Sequence, residues 1–374
     1  MRSLLLAVAA ATLVVACGGG DSRRLAPAAA SPTHSAAAAS PTQPINLDDM
    51  MGLYPQQTVF VADVDAVSAV TLLNHFTRYS IPTWGKAQVA VDGSVSSPIT
   101  WLYVLDGIER ATARGESGTI RLRTFDLQTG VERASRADIG TVASSHRAIA
   151  SVGDGRVLVL KADASHAWID AYERLTLKPL GTVMEKSGCG DRLLASQARL
   201  AIVCLESGEI AVDALRGAGT TVIDPPMPGL AGAAMAQDGT IYAVTAARRL
   251  AAVASGDSIL APVPWPSAWT GTVLPDGLAV ATGSPRESPS AVIAQTDTDG
   301  SWLRVLATNV LAPRASMRLA GRLTGAPQFG IMALDPFAYF ASGGSVRHVQ
   351  IDSGMLETMT ELGQGATIAA VVDR

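Results

Sequence analysis

The feature that most constrains the fold is a tight turn that returns about every 40 residues. Each turn joins two apolar runs, and the six turns are Asp92-Gly93, Asp154-Gly155, Gln197-Ala198, Asp238-Gly239, Asp276-Gly277 and Asp335-Pro336. Asp-Gly favours a two-residue β-hairpin because glycine reaches positive φ without steric cost. The successive intervals are 62, 43, 41, 38 and 59 residues. A spacing near 40 is the length of a four-stranded propeller blade.

The two ends of the globular part supply one further blade. The run from Ala366 to Val372 is a lone C-terminal strand, and the runs that begin at Thr58 have no strand before them. Pairing the ends would close the ring and remove exposed strand edges. Since helical periodicity is almost absent, the sequence predicts an all-β fold. We expect a single β-propeller over residues 46–374 with seven four-stranded blades, six being the alternative.

Two segments of the second predicted blade carry a family resemblance. Trp101 to Asp106 is a strand ending in Asp, and Ile120 to Gly130 closes on Asp126-Leu127-Gln128-Thr129-Gly130. This arrangement resembles the blades of YVTN-type and amine-dehydrogenase-like propellers, where an Asp-x-x-Thr-Gly turn ends the second of two such strands. Later blades keep only fragments of the pattern, such as Ile351-Asp352-Ser353-Gly354.

The N-terminus has the form of an export signal. Arg2 precedes an apolar run from Leu4 to Val15, which is too short to span a membrane. The run ends in Val14-Val15-Ala16-Cys17, which resembles the lipobox of bacterial lipoproteins. That resemblance implies cleavage after residue 16 and acylation of Cys17. The alternative is an ordinary secreted protein whose cysteine merely lies near the cleavage site.

Residues 17–45 read as the lipidated cysteine followed by a linker. The segment is dominated by Ala, Pro, Ser and Thr, which cannot bury enough apolar surface to order themselves. The sequence therefore predicts a signal peptide over 1–16, a flexible tether over 17–45 and an exported, lipid-anchored propeller domain. In a Gram-negative host, Gly18 would permit transfer to the outer membrane, on its periplasmic or surface face.

Two cysteines remain beside the acceptor, and an oxidising compartment favours their pairing. Cys189 and Cys204 lie symmetrically about Ser196-Gln197, so a two-residue hairpin there would place them opposite each other. The sequence predicts a cross-strand disulfide, and two buried free thiols are the alternative.

No local motif assigns a chemistry. The four histidines beyond the tether, at 75, 146, 166 and 348, are scattered, and no Cys-x-x-Cys, nucleophile elbow or phosphate-binding loop is present. We therefore predict no metal, no cofactor and no catalytic residue. The net charge of -4 without a Lys/Arg cluster argues against nucleic acid as a partner.

The best binding candidates lie between blades. Trp265 and Trp269 flank prolines in one connection, where they would form an exposed aromatic platform for a protein or glycan. The alternative is that both rings pack between neighbouring blades. Arg314 and His146 are further candidates for a site built from several blades.

The predicted function is a membrane-tethered, non-catalytic module that binds or scaffolds an envelope protein or a cell-wall component. The alternative is an enzyme similar to the quinoprotein amine-dehydrogenase-like or lactonase-like propellers. Such an enzyme would need several polar side chains converging at the channel mouth, with His146 or Arg314 among them.

Overall fold

A computed structural model describes most of the region that the sequence assigns to the propeller. The described residues are 58–71, 76–85, 87–92, 101–112, 115–137, 139, 148–214, 219–257, 259–280, 290–308, 312–319, 330–334, 337–342, 345–351, 356–361 and 367–372. The chain divides into two compact units, Met1–Met50 and Met51–Arg374, and all described residues belong to the second. The predicted signal peptide, Cys17, the tether and His146 lie outside the described residues.

The described strands, numbered β1 to β28 along the chain, form seven four-stranded sheets. Blade 1 contains β28 (Thr367–Val372), β1 (Thr58–Ala62), β2 (Ala66–Thr71) and β3 (Thr77–Pro82). Blade 2 contains β4 (Gln88–Val91), β5 (Trp101–Thr112), β6 (Gly115–Asp126) and β7 (Glu132–Arg136). Blade 3 contains β8 (Ala148–Ser151), β9 (Arg156–Ala162), β10 (His166–Glu173) and β11 (Pro179–Ser187). Blade 4 contains β12 (Arg192–Ala195), β13 (Arg199–Val203), β14 (Ile210–Ala214) and β15 (Thr221–Val222).

The remaining three blades continue the same order of strands. Blade 5 contains β16 (Leu230–Met235), β17 (Ile241–Thr245), β18 (Leu250–Val253) and β19 (Ala261–Val263). Blade 6 contains β20 (Thr272–Val280), β21 (Ser290–Asp297), β22 (Gly300–Ala307) and β23 (Ala312–Leu319). Blade 7 contains β24 (Gly330–Leu334), β25 (Phe337–Ser342), β26 (Ser345–Gln350) and β27 (Leu356–Glu361). Within the described residues, no helix is both long and apolar enough to cross a membrane.

The first strand of each blade contacts the first strand of the next. β28 contacts β4, β4 contacts β8, and β8 contacts β12. The series continues through β16, β20 and β24, and β24 contacts β28. These seven strands are therefore the innermost ones and enclose a central channel. The arrangement confirms the predicted all-β propeller, and seven is the larger of the two predicted blade numbers.

Closure of the ring depends on a pairing between the two ends of the domain. The C-terminal strand β28 is antiparallel to β1, with Thr58 opposite Val372 and Phe60 opposite Ala370. Blade 1 thus takes its innermost strand from the C-terminus and its other three strands from the N-terminal end of the domain. The predicted closure is confirmed.

The core lies between the faces of neighbouring blades. Second strands are covered on both faces, so β1, β13 and β17 are buried at every residue. Outer strands instead expose side chains to solvent, and four of the five residues of β7 are exposed. Runs of Val, Ile, Leu and Ala fit the buried strands because both of their faces must be apolar.

The recurrent turns join first and second strands, as predicted, at three described places. Asp154-Gly155, Gln197-Ala198 and Asp238-Gly239 connect β8 to β9, β12 to β13 and β16 to β17. Gly155 and Gly239 both have φ of 87°. The Asp carboxylates accept the backbone N–H two residues later, which stabilises the turn locally. Gly93, Asp335 and Pro336 lie outside the described residues.

Candidate functional site

Antiparallel strand order gives the propeller two distinct ends. We call the end where the innermost strands begin the connection face, because the links between blades lie there together with the turns between second and third strands. The opposite end, the hairpin face, carries the turns between first and second strands. The channel runs between the two faces along the innermost strands.

The channel wall is mainly aliphatic. The innermost strands consist largely of Ala, Val, Leu, Ile and Gly, and Leu193, Leu194 and Ala233 are partly exposed along it. Within the innermost strands as described, the ionisable residues are Arg192 on β12 and Asp276 on β20. Any ionic recognition by this part of the wall therefore depends on these two side chains.

Asp276 reaches the channel through a large bulge in β20. Val273 pairs with Gln295 and Leu278 with Ile293, so the four residues 274–277 stand opposite Ala294 alone. The predicted hairpin turn at Asp276-Gly277 is therefore wrong, since both residues lie inside the strand. A bulge of this kind bends the strand and redirects a side chain.

The backbone of the bulge explains why its sequence resembles a turn. Asp276 has φ of 56°, in the left-handed region that Asp tolerates better than most residues. At Gly277, a Cβ would lie 2.6 Å from the carbonyl oxygen of Leu274 and 3.0 Å from that of Ala294. The bulge thus places Asp at the left-handed position and needs Gly because of the close carbonyl oxygens, whereas in the hairpins the glycine itself is left-handed.

Arg192 and Asp276 form a multidentate ion pair. The Arg192 Nη2 donates to Oδ1 and Oδ2 of Asp276 at 2.6 and 2.7 Å, and Nε donates to Oδ1 at 3.0 Å. Their strands belong to blades 4 and 6, and β16 of blade 5 fills the space between those strands. The two side chains therefore meet on the channel side of β16, near the connection face where β12 begins.

This ion pair contributes little to stability. The two side chains are 37% and 36% exposed, and pairs this accessible contribute at most about 1 kcal/mol. A left-handed backbone at a non-glycine residue costs roughly 1 kcal/mol or more. The pair therefore does not offset that cost, and the strained backbone at Asp276 makes this position a candidate site.

The predicted disulfide is present on the same face. Cys189 and Cys204 are bonded, with Cα atoms 5.5 Å apart. Their predicted position directly opposite each other is wrong, because Arg192 pairs with Val203 and the two-residue turn is Gln197-Ala198. Cys189 lies in the link from blade 3 to blade 4, and Cys204 directly follows β13.

The tryptophan pair lies in the link between blades 5 and 6, also on the connection face. The ring centroids are 5.8 Å apart in a T-shaped contact, and Trp265 Nε1 donates to the Trp269 carbonyl at 2.9 Å. Trp269 is only 4% exposed and packs into the core between the two blades, whereas Trp265 is partly buried. The prediction that both rings form an exposed platform is therefore wrong, because Trp269 is buried. The structure supports the alternative, in which the rings pack between neighbouring blades.

Among the residues that the structure describes, the other candidates are not brought together at the channel. Arg314 is on the outer strand β23, where Nη1 donates to Ser290 Oγ at 2.9 Å. His166 stacks on Trp168 on the third strand of blade 3, and His348 is buried beside Tyr339 on blade 7. Arg314, His166 and His348 therefore lie on three different blades and do not form a polar cluster with one another, and His146 lies outside the described residues.

Sequence reasoning missed a buried ionic cluster between blades 1 and 2. Asp106 has no exposed surface and accepts hydrogen bonds from Arg121 Nη2 at 2.7 Å, Arg123 Nη2 at 3.1 Å and the Trp84 backbone N–H at 2.8 Å. The Arg121 guanidinium lies 3.8 Å from the centre of the Trp84 ring. Burial lowers the pKa of Arg123 despite the nearby carboxylate. The detectable signal was two arginines, two residues apart, that alternate with the apolar Ile120 and Leu122 in β6.

A second buried cation ties β9 to β10. Lys161 Nζ donates to Asp170 at 2.7 Å and to the Tyr172 hydroxyl at 3.0 Å, and also contacts the carbonyl of Ile139. Burial lowers the pKa of Lys161, but the hydrogen bonds to Asp170 and Tyr172 outweigh it and the pKa is raised overall. Like the Asp106 cluster, this group stabilises packing away from the channel.

Comparison with known proteins supports the fold. No protein-family model matches the chain, and no curated protein matches it. The crystal structure of Citrobacter koseri AztD is similar with a TM-score of 0.50 and 12% identity, covering 86% of this chain and 98% of that one. The structure of U3-55K is similar with a TM-score of 0.50 and 10% identity, covering 83% and 91%. At such low identity these likenesses show that the chain has a β-propeller-like fold, and they say nothing of its role.

Proposed function

We propose that the protein is a lipid-anchored, non-catalytic binding module of the cell envelope. Its propeller recognises an envelope protein or a cell-wall component at the connection face, with Arg192 and Asp276 as the polar anchor. The observation that carries this proposal is the accessible ion pair held in the channel by the bulge of β20.

The surroundings of the pair suit recognition of a partner. Binding sites are mostly apolar and contain a few well-placed polar groups that fix orientation. Here one guanidinium and one carboxylate stand in an aliphatic wall, and both are attached to strands of a rigid ring. Trp265, partly buried on the same face, adds an aromatic edge to that surface.

The tether is supported by the sequence. The lipobox resemblance at Cys17 and the Ala/Pro/Ser-rich linker favour a domain held near a membrane by its N-terminus. A tethered domain meets its partner at a raised effective concentration, so a modest affinity at the connection face suffices.

The test is crosslinking in cells that express the full-length chain, followed by purification and identification of the captured envelope components. An Arg192→Ala/Asp276→Ala variant is compared with an Asp154→Ala/Arg156→Ala variant. The control removes an ion pair on the hairpin face, in which Arg156 Nη2 lies 2.5 Å from Asp154 Oδ2. Its side chains are about as exposed as those of Arg192 and Asp276. The two variants therefore differ mainly in which end of the propeller they change.

We expect one dominant partner whose recovery falls about tenfold in the channel variant, which corresponds to about 1.4 kcal/mol of binding free energy. Recovery with the hairpin-face variant should match that of the unaltered protein. Equal recovery with both variants would overturn the assignment of the face. The anchor would be overturned if the Cys17→Ser chain still fractionates with membranes and neither that variant nor the unaltered chain carries an acyl label.

A further inference from the structure

The corner that carries the disulfide contains three metal-ligating groups. The sulfur atoms of Cys189 and Cys204 and a carboxylate oxygen of Asp191 all lie within 4.8 Å of one another. Two of these residues come from the link before β12, and the third follows β13. The proposed recognition site makes no use of any of them.

The backbone that carries these groups is fixed by contacts other than the sulfur–sulfur bond. At Gly190, a Cβ would lie 2.5 Å from the Ala167 Cβ and 2.9 Å from Ile202 Cγ2, so this link is packed tightly against blades 3 and 4. The Asp191 N–H also donates to the Val203 carbonyl at 2.8 Å. Cleavage of the disulfide would therefore leave the two sulfur atoms close together.

The carboxylate of Asp191 is oriented as well. Its Oδ2 accepts the backbone N–H of Leu205, the residue after Cys204, at 2.8 Å. Hydrogen bonds of this kind fix the direction of metal-binding carboxylates in protein sites. The same contact ties the segment that contains Asp191 to the segment that contains Cys204.

We infer that reduction of the Cys189–Cys204 disulfide converts this corner into a binding site for a thiophilic divalent cation such as zinc. Two thiolates and one carboxylate supply three ligands of a tetrahedral site, and water supplies the fourth. The disulfide form has no thiolate to offer, so the redox state of the cysteines decides whether the cation binds.

The chemistry balances with an external dithiol as the reductant. Thiol–disulfide exchange transfers two electrons, so the Cys189–Cys204 bond breaks while the dithiol forms its own disulfide. Each freed thiol then loses a proton to solvent as its bond to the metal forms. Exchange with the disulfide of that external dithiol would reverse the process, since it re-forms the Cys189–Cys204 bond, regenerates the dithiol and releases the cation.

The test uses the full-length chain and cobalt(II) as a spectroscopic probe. The protein is reduced with a phosphine without oxygen, the reductant is removed, and two free thiols beyond Cys17 are verified before titration. We expect the thiolate-to-cobalt charge-transfer absorption to saturate at one equivalent and to disappear when zinc is added. The disulfide form should give no such absorption.

Asp191→Asn tests the carboxylate while keeping both thiols, and Asp154→Asn is the matched control on the hairpin face. The first change should weaken cobalt affinity by about tenfold or more, and the second should leave it unchanged. Absence of the charge-transfer absorption in reduced protein with native circular dichroism would overturn the site. Equal affinity for Asp191→Asn and unaltered protein would overturn the three-ligand arrangement.

Discussion

Replacing Asp106 with alanine should strongly destabilise the propeller. The carboxylate has no exposed surface and accepts hydrogen bonds from Arg121, Arg123 and the Trp84 backbone. Its loss leaves the Arg123 guanidinium, which is 4% exposed, with the solvent-facing Glu132 at 3.5 Å as its one ionic partner among the described residues. Breaking a buried ion pair by removing one member costs about 3–5 kcal/mol.

We expect Asp106→Ala to lower the free energy of unfolding by about 3 kcal/mol. This is the lower end of the range, because Glu132 still compensates part of the Arg123 charge. Urea denaturation followed by tryptophan fluorescence measures the change. Asp154→Ala is the control, since its carboxylate is 34% exposed and pairs with Arg156 on the surface. That control should cost about 1 kcal/mol or less. A loss for Asp106→Ala no larger than the control would refute the reasoning.

Three further changes test the packing, the crosslink and the buried phenol. Gly190→Ala should destabilise the fold by about 1–3 kcal/mol because its Cβ would overlap Ala167, as urea midpoints would show. Reduction of Cys189–Cys204, which spans 15 residues, should remove about 3 kcal/mol from the unfolding free energy, and an unchanged midpoint in reductant would contradict this. Burial raises the pKa of Tyr103, so stability should fall as pH rises above about 10, where the unfolded chain ionises. Tyr103→Phe should flatten that decline, and an identical pH profile would contradict the assignment.

The blade repeat was predictable because turn chemistry is local. Asp154-Gly155 and Asp238-Gly239 encode hairpins through the backbone freedom of glycine and the hydrogen-bonding capacity of Asp, and neither depends on distant residues. The same local signal failed at Asp276-Gly277. In the hairpins the glycine has the positive φ, whereas in the bulge Asp276 has it and Gly277 is needed because two carbonyl oxygens approach closely.

The candidate site was not predictable for a related reason. Arg192 and Asp276 are separated by a whole blade in sequence and meet only because the ring brings the first strands of blades 4 and 6 to one channel. The disulfide partners could be predicted from the even number of remaining cysteines and the expected export, but their register could not, since moving the turn by one residue changes every pair. Burial of Trp269 likewise depends on how two blades pack.

The pairing of β28 with β1 imposes an order on biosynthesis. The strand that completes blade 1 comprises residues 367–372 and is the last part of the propeller to be made. Until it arrives, β1 keeps an unpaired edge that can join strands of other chains. A copy that is cut short near its C-terminus carries that same edge permanently. Ring closure thus requires that the whole propeller has been synthesised, and a copy without β28 keeps an open edge that proteases and chaperones can recognise.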